Sequence, residues 1–349
     1  MKDQLESVQI LRAIAALAVV VFHYGGALRD DFGLLGFNPF VSGSDGVDIF
    51  FVISGFIMCY TTARPDQRSP GGFAMKRIAR IIPLYYVLTV GLFALGAVAP
   101  TLLSSGAATP EELVKSLLFI PYERSSGAVQ PVLFLGWTLN YEMFFYALFV
   151  IALLVAPAIR IQAVSGAIIA LVAAGYLTAG SVDNVVWRFY TSGILLEFVF
   201  GCLVFVLYDR WPGVVRAMAP LWIVGAAALI GQTFYNLPLP REVEKGLPAA
   251  IVVISVLGMQ LKQGAVSRAF ARIGDASYSL YLGHPYVVEL VAKVAIAVLG
   301  ATILSGILTG VVAVAVSVGV AMLSFALIER PSNNWIRRRL AARRQPTVP

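Results

Sequence analysis

Residues 8–28 read Val8-Gln9-Ile10-Leu11-Arg12-Ala13-Ile14-Ala15-Ala16-Leu17-Ala18-Val19-Val20-Val21-Phe22-His23-Tyr24-Gly25-Gly26-Ala27-Leu28. The run has about the 20 residues that a hydrocarbon core about 30 Å thick requires of a helix. A cation, Arg12, and an imidazole, His23, interrupt it. Lys2 precedes the run, as in a secretory leader, but Asp3, Glu6 and Arg12 break the pattern. No small-x-small cleavage pattern follows before Tyr24, so the segment reads as a retained membrane helix.

Working outward, comparable apolar segments fall at about 46–63, 79–99, 131–156, 161–180, 190–208, 217–236, 246–261, 276–299 and 303–328. With the first they make ten. The 349-residue chain is 59% hydrophobic and 13% charged, against about a quarter charged for a soluble domain. Its net charge of +7 does not point to nucleic acid, because the basic residues gather at the ends of apolar segments. Placing both termini inside and alternating the helices puts 19 of the 26 Lys and Arg residues inside and 7 outside, the asymmetry expected of membrane topology. The expected fold is therefore an all-α polytopic membrane protein of about ten transmembrane helices with both termini cytoplasmic. One membrane domain over 1–329 is followed by a basic cytoplasmic tail, 330–349. In that tail Trp335 stands beside Arg337, Arg338 and Arg339, which suits an anchor to anionic lipid headgroups. The longest outer connection, about 100–130, contains Thr109-Pro110-Glu111-Glu112, a helix start with Thr109 as cap. No internal repeat appears. Cys59 and Cys202 lie inside apolar runs, which argues against a disulfide framework and against spaced zinc ligands.

Ionisable groups inside membrane helices are costly and usually functional. Arg12 and His23 are 11 residues apart. At about 100° and 1.5 Å per residue they share one face, roughly 16 Å apart. The bland alternative is a snorkelling arginine and a hydrogen-bonded core histidine. The second segment opens Ser44-Asp45-Gly46-Val47-Asp48. Asp45 fits a helix cap, whereas Asp48 lies further in and could orient an imidazole and raise its basicity. Gly55 permits close helix packing. Arg77 and Arg80, three apart, are neighbours on a helix face and have the forked donors that match phosphate oxygens, although a positive-inside cluster would look the same. Glu142 lies within Trp137-Thr138-Leu139-Asn140-Tyr141-Glu142, inside a segment, and calls for a buried partner. Trp137 and Tyr141 suit an interfacial aromatic belt or a stacking platform for a sugar. Ser277, Tyr281 and His284 share a face by their i, i+4, i+7 spacing, and Pro285 could kink that helix. His284 reads as structural or substrate-lining. No phosphate-loop, zinc-type histidine or nucleophile-elbow motif occurs.

Taken in order, Arg12-x10-His23, Gly46-Val47-Asp48 running into Ser54-Gly55-Phe56, Arg77-x-x-Arg80 before Pro83-Leu84-Tyr85, Trp137 to Tyr146, Ser277 to Tyr281 before His284, and Glu329-Arg330-Pro331 resemble the acyltransferase-3 family across the whole chain. The Trp-Thr-Leu-Asn-Tyr-Glu form is most similar to its exopolysaccharide-modifying branch. The resemblance implies a bacterial inner-membrane enzyme that moves an acyl group, usually acetyl, from cytoplasmic acyl-coenzyme A to a hydroxyl, most often on a glycan or lipid-linked saccharide, with no metal. It matches His23 and Arg12 to the family's essential pair, and Arg77 and Arg80 to its paired-arginine motif.

On that reading the coenzyme A phosphates meet Arg77, Arg80 and Arg12, and His23 takes the proton of the attacking hydroxyl. Asp48 or Glu142 holds the imidazole. An acyl-histidine intermediate is the variant. The sequence leaves two rivals standing. One is the same chemistry on a small secondary metabolite such as a macrolide. The other is a transporter or flippase of lipid-linked sugars, which ten helices with intramembrane charges would also suit.

Overall fold

The structure is a computed structural model and describes residues 2–99, 107–232, 234, 238–261 and 264–342. The helices are α1 (Lys2–Asp30), α2 (Gly46–Thr62), α3 (Pro70–Val98), α4 (Pro110–Leu117), α5 (Trp137–Ala152), α6 (Arg160–Leu177), α7 (Val185–Tyr190), α8 (Leu196–Arg210), α9 (Pro212–Ala217), α10 (Trp222–Gly231), α11 (Leu247–Gly258), α12 (Ala265–Asp275), α13 (Ser277–Leu299), α14 (Ile303–Ser324) and α15 (Arg330–Ala342).

Eight helical stretches among the described residues are long and apolar enough to cross a membrane, two fewer than the ten expected. The difference lies in the segments at 217–236 and 246–261. Within them α10 has 10 residues, or roughly 15 Å of rise against the ~30 Å of a hydrocarbon core, and α11, of 12 residues, runs on from a π-helical turn, Glu242–Gly246, that carries Glu242, Glu244 and Lys245. Residues 233 and 235–237 of the first segment lie outside the described residues, as do 100–106 of the outer connection and 343–349 of the tail. Hydropathy sums over a window without marking where the helix ends, and here Pro220 and Gly231 bracket the helix. The third segment also starts earlier than expected. Ser69 caps α3 by accepting from the Gly72 N–H, and Pro70 takes the first turn, where its missing N–H costs nothing. Arg77 and Arg80 thus sit inside α3 and not ahead of it. Thr109 caps α4 as expected, in a reciprocal pair with Glu112.

The chain forms two compact units, each discontinuous in sequence: residues 1–57 with 197–325, and residues 58–196 with 326–349. In the first unit α1 is a central element. Ala16, Val20, Tyr24 and Ala27 on one of its faces pack with Leu280, Val288 and Ala292 of α13 and Ala313 and Ala321 of α14. Small side chains bring backbones close. A Cβ at Gly55 would lie 2.1 Å from the carbonyl oxygen of Phe198, and one at Gly201 2.1 Å from that of Val52, so α2 and α8 cross on two glycines. In the second unit α3 packs against α5, where Phe73 stacks on Phe149 with ring centroids 5.3 Å apart. α3 also packs against α15, the helical part of the tail.

Candidate active site

Within the first unit, one face of α1 meets one face of α13 at two polar points. Near the start of α13, the buried Arg12 donates from Nη2 to Ser277 Oγ at 2.7 Å and from Nη1 to Gln9 Oε1 at 3.0 Å. Further along, His284 Nε2 lies 3.0 Å from His23 Nδ1, with the rings 4.8 Å apart and edge to face. His284 is 1% exposed. The helical period that puts Arg12 and His23 on one face does the same for Ser277, Tyr281 and His284. Tyr281 stands beside the Phe50 ring, 6.1 Å away, and beside His284, 6.3 Å away. Pro285 lies within a continuous α13.

The backbone fixes the tautomers. His284 Nδ1 faces the carbonyl oxygen of Leu280 at 2.9 Å, and His23 Nδ1 faces that of Val19 at 3.0 Å. A carbonyl oxygen only accepts, so each neutral ring carries its proton on Nδ1. His284 then presents a lone pair at Nε2, and His23 shares its Nδ1–H between Val19 O and that lone pair. The basic lone pair of His23 is on Nε2.

Asp48 has a different partner from the one expected of it. It is fully buried, accepts from Arg241 Nη2 at 2.6 Å, and lies beside the equally buried Glu197, which is 3.7 Å from Arg241 Nε. Asp45 is no helix cap: its carboxylate takes Lys245 Nζ at 2.8 Å and Gln232 Nε2 at 2.9 Å. Arg241 directly precedes a wide π-helical turn, Glu242–Gly246, and Lys245 lies within it, an insertion common at functional positions. A second imidazole, that of His284, meets His23 Nδ1, a pairing the sequence did not anticipate when it offered Asp48 or Glu142 for that place. Glu197, Arg241 and Lys245 went unweighed in the sequence, although a glutamate inside the apolar run 190–208 was the signal for the first.

In the second unit the Arg77 guanidinium stands 5.6 Å from the Phe73 ring centroid and 5.9 Å from that of Tyr146, within cation–π range. The Tyr146 hydroxyl donates to Glu142. Arg80 follows one turn on, half-buried. Tyr141 is buried, with its ring stacked 3.9 Å from Phe189 and Trp137 edge-on at 6.0 Å. Phe189 therefore covers one face of the Tyr141 ring. Among the described residues no group of three or more His, Cys, Asp or Glu side chains is placed to hold a metal ion.

Helices of membrane-spanning length, with an arginine and two facing imidazoles where α1 meets α13, define a polytopic membrane protein. The chain belongs to the acyltransferase-3 family, whose acyltransferase domain matches residues 5–325, and it is an enzyme of that class. It is 39% identical to the exopolysaccharide production protein ExoZ of Rhizobium meliloti over 306 residues, 84% of this chain and 90% of the relative. It is 26% identical to the acyltransferase MdmB of Streptomyces mycarofaciens over 320 residues, 82% and 79% of the two chains. No solved structure matches. Family membership sets the transporter reading aside.

Proposed function

We propose that the protein is an O-acyltransferase of the bacterial cytoplasmic membrane that moves an acyl group, acetyl foremost, from acyl-coenzyme A to a hydroxyl of an exopolysaccharide or its lipid-linked precursor. The likeness to ExoZ over most of both chains carries the choice of acceptor. MdmB, less similar, keeps a small-molecule acceptor as the second reading.

His23 is the general base. Its Nε2 takes the proton of the acceptor hydroxyl as the oxygen attacks the thioester carbonyl. The tetrahedral intermediate then expels the thiolate, which recovers that proton from the imidazolium to leave as free coenzyme A. A positioned base of this kind contributes on the order of 10²- to 10⁴-fold. The pairing with His284 supports the role, because a ring whose Nδ1–H is held at two acceptors keeps its lone pair on Nε2 and its new positive charge solvated by a carbonyl and an imidazole. Arg12 fixes the register of α1 on α13 and adds positive charge to their shared face. Arg77 and Arg80 take the donor's phosphates, a role that suits two guanidinium groups one turn apart.

Membranes carrying the protein, given radiolabelled acetyl-coenzyme A, are expected to label a polysaccharide or lipid-linked saccharide fraction. Mass spectrometry of surface polysaccharide with and without the gene should show the matching loss of acetyl ester. Label in an organic-soluble small molecule, with unchanged polysaccharide, would sink the glycan acceptor and support the second reading.

A further inference from the structure

The second unit contains a groove between α3 and α15, of about 410 Å³. Met75, Ile78 and Ile82 form one stripe of α3 along it, with Pro83, while Trp335 and Ile336 close it from α15. Met75, Ile78 and Trp335 are 39%, 37% and 51% exposed. The lining offers water almost nothing to bond, and an apolar groove of this kind is filled by another apolar body.

The rim has the opposite character. From Arg330 to Ala342 the helix carries Arg330, Arg337, Arg338 and Arg339 and no acidic residue. All four arginines are exposed. Arg339 is one turn beyond Trp335, on the stripe that lines the groove, and its guanidinium carbon stands 3.9 Å from the Trp335 ring centroid. That cation–π contact holds a positive charge at the groove's mouth. An occupant must therefore be apolar along its length and anionic at one end.

We propose that this groove binds one anionic phospholipid, with an acyl chain along Met75, Ile78 and Ile82 and the headgroup phosphate at Arg339 and its neighbours. Basic pockets between membrane helices select anionic headgroups in this way. A zwitterionic lipid would fill the groove but leave the rim charge uncompensated. A second copy of the chain would bring its own arginines to the same rim, and like charges would face each other in a two-fold contact.

The full chain, purified in detergent and stripped of lipid, is offered an equal mixture of phosphatidylglycerol and phosphatidylcholine and weighed by native mass spectrometry. The expected result is one retained lipid per chain, with phosphatidylglycerol preferred on the order of tenfold. Ile78→Trp, which fills the groove, should abolish retention. Met75→Trp provides an independent version should the first variant fold poorly, as judged by gel filtration and melting. The triple change Arg337→Gln, Arg338→Gln and Arg339→Gln should erase the headgroup preference. Equal retention of the two lipids by the unmodified protein would overturn the proposal, as would undiminished retention in a folded groove-filled variant. A dimer that Ile78→Trp dissociates would assign the groove to a second copy and overturn it too.

Discussion

His284 holds its Nε2 3.0 Å from His23 Nδ1, across a gap of 261 residues in sequence. Because Leu280 O binds its Nδ1–H, His284 meets the first imidazole as an acceptor. In many acid–base sites a carboxylate has this place. An imidazole offers the same lone pair without a negative charge, so no anion need be buried against α1, where burial is costly.

His23→Ala should insert and fold yet lose transfer by between about a hundredfold and ten-thousandfold. His284→Ala should lower kcat by roughly 10- to 100-fold, the loss seen when a partner that orients a metal-bound imidazole is removed, while KM for both substrates stays put. His284→Gln should recover part of the loss, since its amide oxygen can accept from His23 Nδ1–H. Steady-state kinetics on the three variants decide this: a His284→Ala enzyme with full kcat removes the orienting role.

Arg77→Ala and Arg80→Ala should each raise KM for acyl-coenzyme A by about tenfold or more, as expected when a hydrogen bond to a charged group is lost, with kcat little changed. A donor lacking the 3′-phosphate gives an independent reading. If either arginine meets that phosphate, the corresponding variant should no longer distinguish the two donors. Variants that discriminate as the parent does would place both arginines away from the 3′-phosphate, and an unchanged KM as well would place them away from the donor.

Gly55→Ala and Gly201→Ala each set a Cβ 2.1 Å from a carbonyl oxygen of the facing helix, so backbone must move. Each should cost about 1–3 kcal/mol, as overpacking does, and the double change should cost less than the sum because both report on one contact. Gly26→Ala, with nothing within 4 Å of the new carbon, is the control and should be neutral or slightly stabilising. Melting in detergent checks all three, and an unshifted Gly55→Ala would show that α2 and α8 do not approach this closely.

Arg241→Ala should destabilise the first unit by roughly 2–3 kcal/mol, below the usual cost of breaking a buried pair because the side chain is partly exposed. Asp48 and Glu197 are left facing each other. Changing Asp48→Asn as well should restore much of the loss, by removing one of the stranded charges. A double variant no more stable than Arg241→Ala would argue that the contact with Asp48 is incidental.

What the sequence discloses here follows the helix period. Arg12 and His23, or Ser277 and His284, share a face whatever lies opposite, so their alignment is legible from spacing alone. The Thr109 cap is local for the same reason, whereas Gly55 marks a close approach without naming the helix it meets, which is α8 at Phe198. Partners are another matter. Asp48 finds Arg241 193 residues away, and no local rule chooses between that guanidinium and a nearby imidazole. Eight of the ten expected crossings stand out among the described residues; the other two fall where α10 is a short helix and where α11 runs on from a turn that carries Glu242, Glu244 and Lys245.

The border between the two units cuts the chain three times, after residues 57, 196 and 325. No single break in the gene therefore releases either unit whole. Biosynthesis meets the same constraint: the ribosome must deliver α14 before the first unit is complete and α15 before the second is. A premature stop codon near Gly300 would strip a helix from each unit at once. The stretch from α14 to α15 is thus a checkpoint for what precedes it, and a reporter fused beyond α15 would register only molecules in which the first unit has α14 and the second has α15.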